Sequence, residues 1–102
     1  MNQDEAQARL EEFRVLIDDV DRRIVTLLNE RTRVVEDIGR VKRQAELPIY
    51  EPKREEQVFA NIASCNHGPL SPEAVRRIFE RIIDEMRTIQ RLRMQAENDK
   101  SC

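Results

Sequence analysis

Apolar residues recur along the first half of the chain at alternating spacings of three and four. The series lies in residues 10–45 and comprises Leu10, Phe13, Ile17, Val20, Ile24, Leu27, Val34, Ile38, Val41 and Ala45. This spacing predicts a helix with an apolar stripe that packs along its length against other helices. One step of the series is polar, because Arg31 stands between Leu27 and Val34. A buried guanidinium without a partner costs several kcal/mol, so either a carboxylate or a ligand should meet Arg31.

The helix predicted from this series is too long for the core of so small a protein. Residues 4–46 contain no proline and a single glycine, Gly39. They predict one helix of roughly 40 residues, or about 60 Å at the standard rise per residue. A chain of 102 residues forms at most one domain, which we take to be residues 1–102. We therefore expect the helix to lie against a second chain, or to bend.

Two further helices are predicted after a proline-rich break. Pro48 and Pro52 interrupt the first helix and impose an extended connection. Pro52 is suited to the first turn of a second helix, which should end near residues 66–68 with Gly68 as its C′ residue. Ser71 and Pro72 have the residue types of an N-cap and first position, and predict a third helix that runs to about residue 95, followed by a polar, frayed tail. With no strand signal, the fold class is predicted to be all-α, with three helices in the order long, short, long.

Composition excludes several classes of function. The 18 basic and 20 acidic residues nearly cancel and are interspersed, which argues against a nucleic-acid partner. The N-terminal residues have no signal-peptide pattern, and no apolar run is long enough to cross a membrane. The spacing of Cys65 and Cys102 suggests no disulfide, so we expect free thiols in the reducing cytoplasm.

Several polar residues fall on faces that should point inward. Arg31 and Lys42 are separated by about 16 Å of rise and only ~20° of rotation, so they project from nearly one face. Gln90 continues an apolar stripe on the third helix, where a buried amide needs partners. Each residue alone is more often structural: Arg31 in a buried ion pair, Lys42 on a solvated flank, Gln90 as a satisfied core amide. Together, with no obvious buried carboxylates to neutralise them, they favour an electropositive pocket for a small dianion.

At this point the residues match a family pattern. The pattern consists of four segments: Arg14-(x)3-Asp18-(x)2-Asp21-(x)6-Leu28-(x)2-Arg31, Ile38-Gly39-x-x-Lys42, Pro48-Ile49-Tyr50-x-Pro52-x-Arg54-Glu55 and Ile78-Phe79-(x)3-Ile83-(x)6-Gln90. In combination they resemble the all-helical class of chorismate mutases, of the monofunctional bacterial type. The resemblance covers about residues 10 to 92.

The resemblance implies a fold, a reaction and a set of partners. The fold would be a two-fold homodimer of interlocked helices with two equivalent active sites. The reaction would be the rearrangement of chorismate to prephenate, at the branch toward phenylalanine and tyrosine. Such a pericyclic reaction moves no proton and adds no nucleophile, so orientation and charge stabilisation suffice. No cofactor and no metal are expected.

The resemblance also implies roles for individual residues. Arg31, with Arg14 from the other subunit, would bind the two carboxylates of the substrate. Lys42 would contact a carboxylate and the ether oxygen, and Gln90 would donate to the same oxygen. The other implied site residues are Glu55, which would receive the ring hydroxyl, Glu51 and Arg54 at the turn into the second helix, and Met86. Met86 stands where many members have a small hydroxylic residue, so we expect it to serve in packing.

Two other functions stay open on the sequence alone. Isochorismate–pyruvate lyases resemble this pattern closely, although Glu55 favours the mutase because a carboxylate there suits the hydroxyl of chorismate. A non-catalytic helical oligomerisation module would explain the apolar stripe but would leave Arg31 and Gln90 without a role.

Overall fold

The computed structural model describes the backbone of residues 1–100 and the side chains of residues 1–99. Its helices are α1 (Gln3–Gln44), α2 (Pro52–Cys65) and α3 (Pro72–Lys100). No strand occurs within this part of the chain, which confirms the predicted all-α architecture of a long, a short and a long helix. The predicted end of α3 near Gln95 is wrong, because the helix continues to Lys100. A physical reason lies in Glu97, whose carboxylate pairs with Arg43 of α1 at 2.7 Å and holds the last turns in place.

Both predicted helix starts after α1 are confirmed. Pro52 lies in the first turn of α2, where its missing N–H is not needed. Ser71 caps α3, since its Oγ accepts a hydrogen bond from the backbone N–H of Ala74 at 3.1 Å. Glu51 precedes α2 but makes no capping hydrogen bond with its side chain. Its carboxylate is directed to Lys42 instead.

The end of α2 lies close to where it is predicted, but the predicted role of Gly68 is wrong. The helix ends at Cys65, and Asn66 already has an extended backbone with φ −83° and ψ 112°. The side chain of Asn66 organises the following turn, accepting from the N–H of Gly68 and donating to the carbonyl of Leu70, each at 3.0 Å. The turn after α2 is thus held by a side-chain amide, and no glycine occupies the C′ position.

The end of α1 has a double hydrogen bond that reverses the chain sharply. The N–H of Leu47 donates to the carbonyl of Lys42 at 2.7 Å, and the N–H of Glu46 donates to the carbonyl of Arg43 at 3.3 Å. This pairing is a Schellman motif, which needs a left-handed residue at the C′ position. Glu46 is that residue, with φ 56°. The reversal directs residues 47–51 back toward the last turn of α1.

The chain divides into two compact units, one covering Met1–Val34 and another that begins at Val35. The first unit has no buried residue. The apolar residues that start the α1 stripe are all exposed to solvent in the single chain: Leu10, Phe13, Ile17, Val20, Ile24 and Leu27.

The second unit contains the core, and α1 contributes to it through a face beside the predicted apolar stripe, on which the inward position of Lys42 agrees with the sequence analysis. The buried residues of α1 are Val35, Gly39 and Lys42. Val34 and Ile38, which belong to the predicted stripe, are exposed. Successive helix residues are about 100° apart, so the two sets lie on adjacent faces of one helix. The face that packs within the chain is therefore not the face that carries the apolar stripe.

No helix in the described part of the chain combines the length and the apolar character that a membrane span requires. Cys65 is a free, exposed thiol, as predicted. Cys102 lies outside the described residues.

Candidate active site

Lys42 is a buried lysine with two oxygen partners. It is 8% exposed, although it lies near the end of a helix. Its Nζ donates to the backbone carbonyl of Ile49 at 2.9 Å and lies 2.7 Å from Oε1 of Glu51. The chain reversal after α1 brings both partners over it. The interpretation of Lys42 as a solvated flank is therefore wrong, and its carboxylate partner Glu51 is itself half-exposed.

Gln90 is a buried amide on α3, as its place in the apolar stripe predicts. It is 7% exposed, and its Nε2 donates to the carbonyl of Val35 at 3.4 Å. Gly39 lies beside this contact, where a Cβ would meet Cγ of Gln90 at an ordinary 3.6 Å and would be tight only against a guanidinium nitrogen of Arg43, at 3.2 Å. The hydrogen bond is long, and the amide has a second N–H that it can donate to a ligand.

Two ion pairs fasten α1 to α3 around this contact. Arg93 lies 2.8 Å from Glu36, and Arg43 lies 2.7 Å from Glu97. Arg43 is largely shielded from solvent, whereas Arg93 is exposed. Each pair has one shielded and one exposed partner, so each contributes modestly to stability. Together they keep the α3 segment that carries Gln90 against the buried face of α1.

Glu55 on α2 faces an arginine that the sequence analysis did not single out. Oε2 of Glu55 lies 3.6 Å from Nε of Arg87 on α3, and both side chains are about three-quarters shielded from solvent. The guanidinium of Arg87 also lies over the ring of Tyr50, 5.4 Å from its centroid. A signal was present in the sequence, since Arg87 is four residues after Ile83 and flanks the inward stripe of α3.

The other predicted site residues have separate surroundings. Met86 is buried in the core, in agreement with the expected packing role. Arg54 is exposed, and its Nη1 donates to Oε1 of Gln57 on its own helix at 3.4 Å. In the first unit, Arg14 is exposed and pairs with Glu11 at 2.9 Å, while Arg31 is half-buried. Within residues 1–99, no group of three or more His, Cys, Asp or Glu side chains is placed to hold a metal ion.

The site therefore offers the buried ammonium of Lys42 on α1 and the buried amide of Gln90 on α3. Ion pairs connect these two helices, and α2 adds the carboxylate of Glu55.

A family model described as chorismate mutase type II matches residues 13–91. The chain belongs to this family. The match confirms the resemblance found in the sequence, and it includes every candidate site residue from Arg14 to Gln90.

Individual chorismate mutases are similar to this chain in sequence and in structure. A bifunctional chorismate mutase/prephenate dehydratase from Pseudomonas aeruginosa is 39% identical over 82 residues, which are 76% of this chain and 22% of that protein. A chorismate mutase structure (form II) from Thermus thermophilus superposes with a TM-score of 0.79 at 37% identity, covering 81% of this chain and 94% of that one. A chorismate mutase from Helicobacter pylori in complex with prephenate superposes with a TM-score of 0.80 at 26% identity, covering 86% and 96%.

The lengths of these relatives differ. The chain spans between 20% and 24% of the length of the bifunctional relatives that it matches. It spans nearly the whole of the two superposed structures. The likeness therefore extends over nearly the full length of the two solved chains and over about a fifth to a quarter of the bifunctional relatives.

Proposed function

We propose that this chain catalyses the rearrangement of chorismate to prephenate. The observation that carries the proposal is the burial of Lys42 and Gln90, at the positions where the family resemblance expects the two groups that contact the ether oxygen. In a helical oligomerisation module a buried ammonium and a buried amide would each cost free energy that apolar residues would not, so the two together favour a ligand site. The names of the relatives, which include a chorismate mutase bound to prephenate, support the same reaction.

The chemistry fits groups of this kind. The rearrangement breaks one carbon–oxygen bond and forms one carbon–carbon bond within a single molecule, with no proton transfer to or from the enzyme. Negative charge grows on the ether oxygen as its bond breaks, and a fixed ammonium and amide N–H stabilise that charge. The substrate must also be held in its compact conformation, a task that the arginines perform through its carboxylates.

The proposed site is completed by a second copy of the chain. By helix rise alone, Arg14 and Lys42 are about 42 Å apart along one helix, a span that no small metabolite bridges. A two-fold homodimer would bring Arg14 of one subunit to Lys42 of the other. The exposed apolar residues of α1, among them Phe13 and Leu27, supply the surface for such a dimer. We also propose that the protein acts in the cytoplasm, because Cys65 is a free thiol and the relatives are named as biosynthetic enzymes.

The test of the function is a pair of incubations with the purified chain. One contains chorismate and the other isochorismate, and the products are identified by chromatography and mass spectrometry. We expect prephenate from chorismate. Release of pyruvate from isochorismate, together with no prephenate from chorismate, would identify the chain as a lyase instead. Lack of any product from either compound would contradict both activities.

A prediction for Lys42 follows from the same proposal. Lys42→Ala should lower kcat/KM for chorismate by at least ~100-fold, because it removes one transition-state contact from a shielded site. The matched control is Lys53→Ala, which removes an exposed lysine from the first turn of α2 and should leave activity unchanged. Circular dichroism and melting curves verify that both variants are folded. Near-normal turnover by folded Lys42→Ala protein would show that Lys42 does not contact the reacting atoms.

A further inference from the structure

Arg87 is a partly shielded cation on α3 whose surroundings the proposed mechanism does not yet explain. Its Nη2 donates to Oδ1 of Asp84 at 2.5 Å, one turn earlier on α3. Its Nε is buried and has no hydrogen-bond partner among the residues that the structure describes. The nearest counter-charge to that nitrogen is Oε2 of Glu55 at 3.6 Å, just beyond hydrogen-bond distance.

Arg87 connects three segments of the second unit. Asp84 fixes one edge of the guanidinium from α3, the ring of Tyr50 lies against it from the connection before α2, and Glu55 faces it from α2. A planar guanidinium held on two sides has a fixed direction. The carboxylate of Glu55 is therefore presented with a cation in one defined place, which favours the side-chain rotamers directed toward Arg87.

We infer that Arg87 is a positioning residue, which acts through Glu55 by holding one carboxylate oxygen so that the other is presented to the substrate. The inference rests on the proposed function, in which Glu55 receives the ring hydroxyl of chorismate. A small displacement of Glu55 toward Arg87 closes the 3.6 Å separation to a charge-assisted hydrogen bond and satisfies the buried Nε. Arg87 itself need not touch the substrate.

This role has a kinetic signature. The ring hydroxyl takes no part in the bonds that break or form, so a contact to it is the same in the ground state and the transition state. Loss of such a contact raises KM and leaves kcat nearly unchanged. An arginine that merely fastened α2 to α3 would instead lower the melting temperature and disturb kcat as the site loosened.

The test is a double-mutant cycle between Arg87 and Glu55, measured on chorismate. Arg87→Met keeps most of the apolar stem and removes the charge, and we expect it to raise KM by about tenfold or more, in line with the cost of misplacing a binding group. In a Glu55→Gln background the same change should alter KM by less than about twofold, because the group it acts through is gone. Arg87→Lys, which keeps the charge, should recover part of the loss.

The matched control is Arg76→Met. Arg76 also connects α3 to α2, with its guanidinium 4.1 Å from the ring centroid of Phe59, and it pairs with Glu80 at 3.2 Å. It has no contact with Glu55 in the structure, so its loss should leave KM and kcat unchanged.

Each outcome of the cycle decides a different point. Equal losses for Arg87→Met in both backgrounds, no loss in either, or a loss confined to kcat would overturn the positioning role while the wild type remains a mutase. A wild type without mutase turnover would overturn the proposed function and this inference with it. If Arg87→Met protein does not fold by circular dichroism, the cycle is run with Arg87→Lys, where dependence on Glu55 is again expected and equal losses again contradict it.

Discussion

The two polar residues to which we assign the transition-state contacts, Lys42 and Gln90, differ in how they are held within the chain. Lys42 has a short contact to Glu51, whereas Gln90 has a single long hydrogen bond to the carbonyl of Val35. A long bond from one N–H of a buried amide leaves donor capacity unused, and unused capacity inside a protein is available to a ligand. Gln90 is therefore the residue at which substitution by a titratable side chain should affect activity most visibly.

Gln90→Glu should make the activity depend on acid. A glutamate donates to the ether oxygen only when it is protonated, and when ionised it repels the negative charge that grows there. We expect the variant to be weak at neutral pH and to recover as the solution is acidified, while the wild type shows no such recovery. The measurement is kcat/KM for chorismate across the pH range in which both proteins remain folded.

The control for this change is Gln95→Glu. Gln95 is an exposed residue of α3, so the same change in charge should leave the pH profile unaltered. A flat profile with full activity for Gln90→Glu would mean that residue 90 does not face the reacting oxygen.

At the end of α1, the residue in the left-handed C′ position is Glu46, although glycine suits that conformation better. Glu46 has φ 56° at the C′ position of the Schellman motif, a conformation that glycine adopts without steric cost. The motif brings Ile49 and Glu51 to Lys42 all the same, so the reversal is stable enough to tolerate the strain.

Glu46→Gly should stabilise the fold. The substitution relieves left-handed strain of about 1–2 kcal/mol but adds backbone freedom to the unfolded chain, so we expect a net gain of about 0.5–1 kcal/mol in the free energy of unfolding. Glu46→Ala removes the same charge but keeps a Cβ, and it should give no such gain. Urea unfolding of the three proteins measures the difference, and equal stabilities for Glu46→Gly and Glu46→Ala would refute the strain.

The starts of helices were predictable from sequence because their causes are local. Pro52, Ser71 and Pro72 act through the few backbone groups next to them, so no knowledge of the rest of the chain is needed. The burial of Gln90 was predictable for a similar reason, since its stripe on α3 has a single helical period.

The residues that the sequence misplaced depend on contacts between elements. Val35 and Gly39 are buried because α3 packs there, next to an apolar stripe that gives the stronger periodic signal but stays exposed in the chain. The partners of Lys42 and Glu55 come from a chain reversal and from another helix. Charge alone did not reveal that Glu51 and Arg87 would be those partners.

For the whole molecule, the decisive question is which chains share a site. Mixing Arg14→Ala protein with Lys42→Ala protein, followed by unfolding and refolding together, should restore activity from two inactive parents. A mixed dimer has one pocket with both defects and one with none. Random pairing makes about half of the dimers mixed, so roughly a quarter of wild-type activity should return.

The control is the same mixture without unfolding, in which subunits have not been exchanged and activity should stay at the level of the parents. Mixed dimers are verified by mass spectrometry of differently tagged chains. Absence of recovery with mixed dimers present would mean that Arg14 and Lys42 serve the same pocket within one chain, and the proposed shared site would be abandoned.

The contact between Lys42 and Glu51 also bears on which anions the site can select. Because the ammonium already has a counter-ion within the chain, binding at Lys42 is an exchange of one carboxylate for another. A monocarboxylate gains from Lys42 little more than Glu51 already provides, so the exchange is nearly balanced. A dicarboxylate that also reaches an arginine has a second interaction that the exchange does not cancel. In the proposed site, Glu51 would therefore compete with the ligand for Lys42 and would disfavour ligands with a single negative charge.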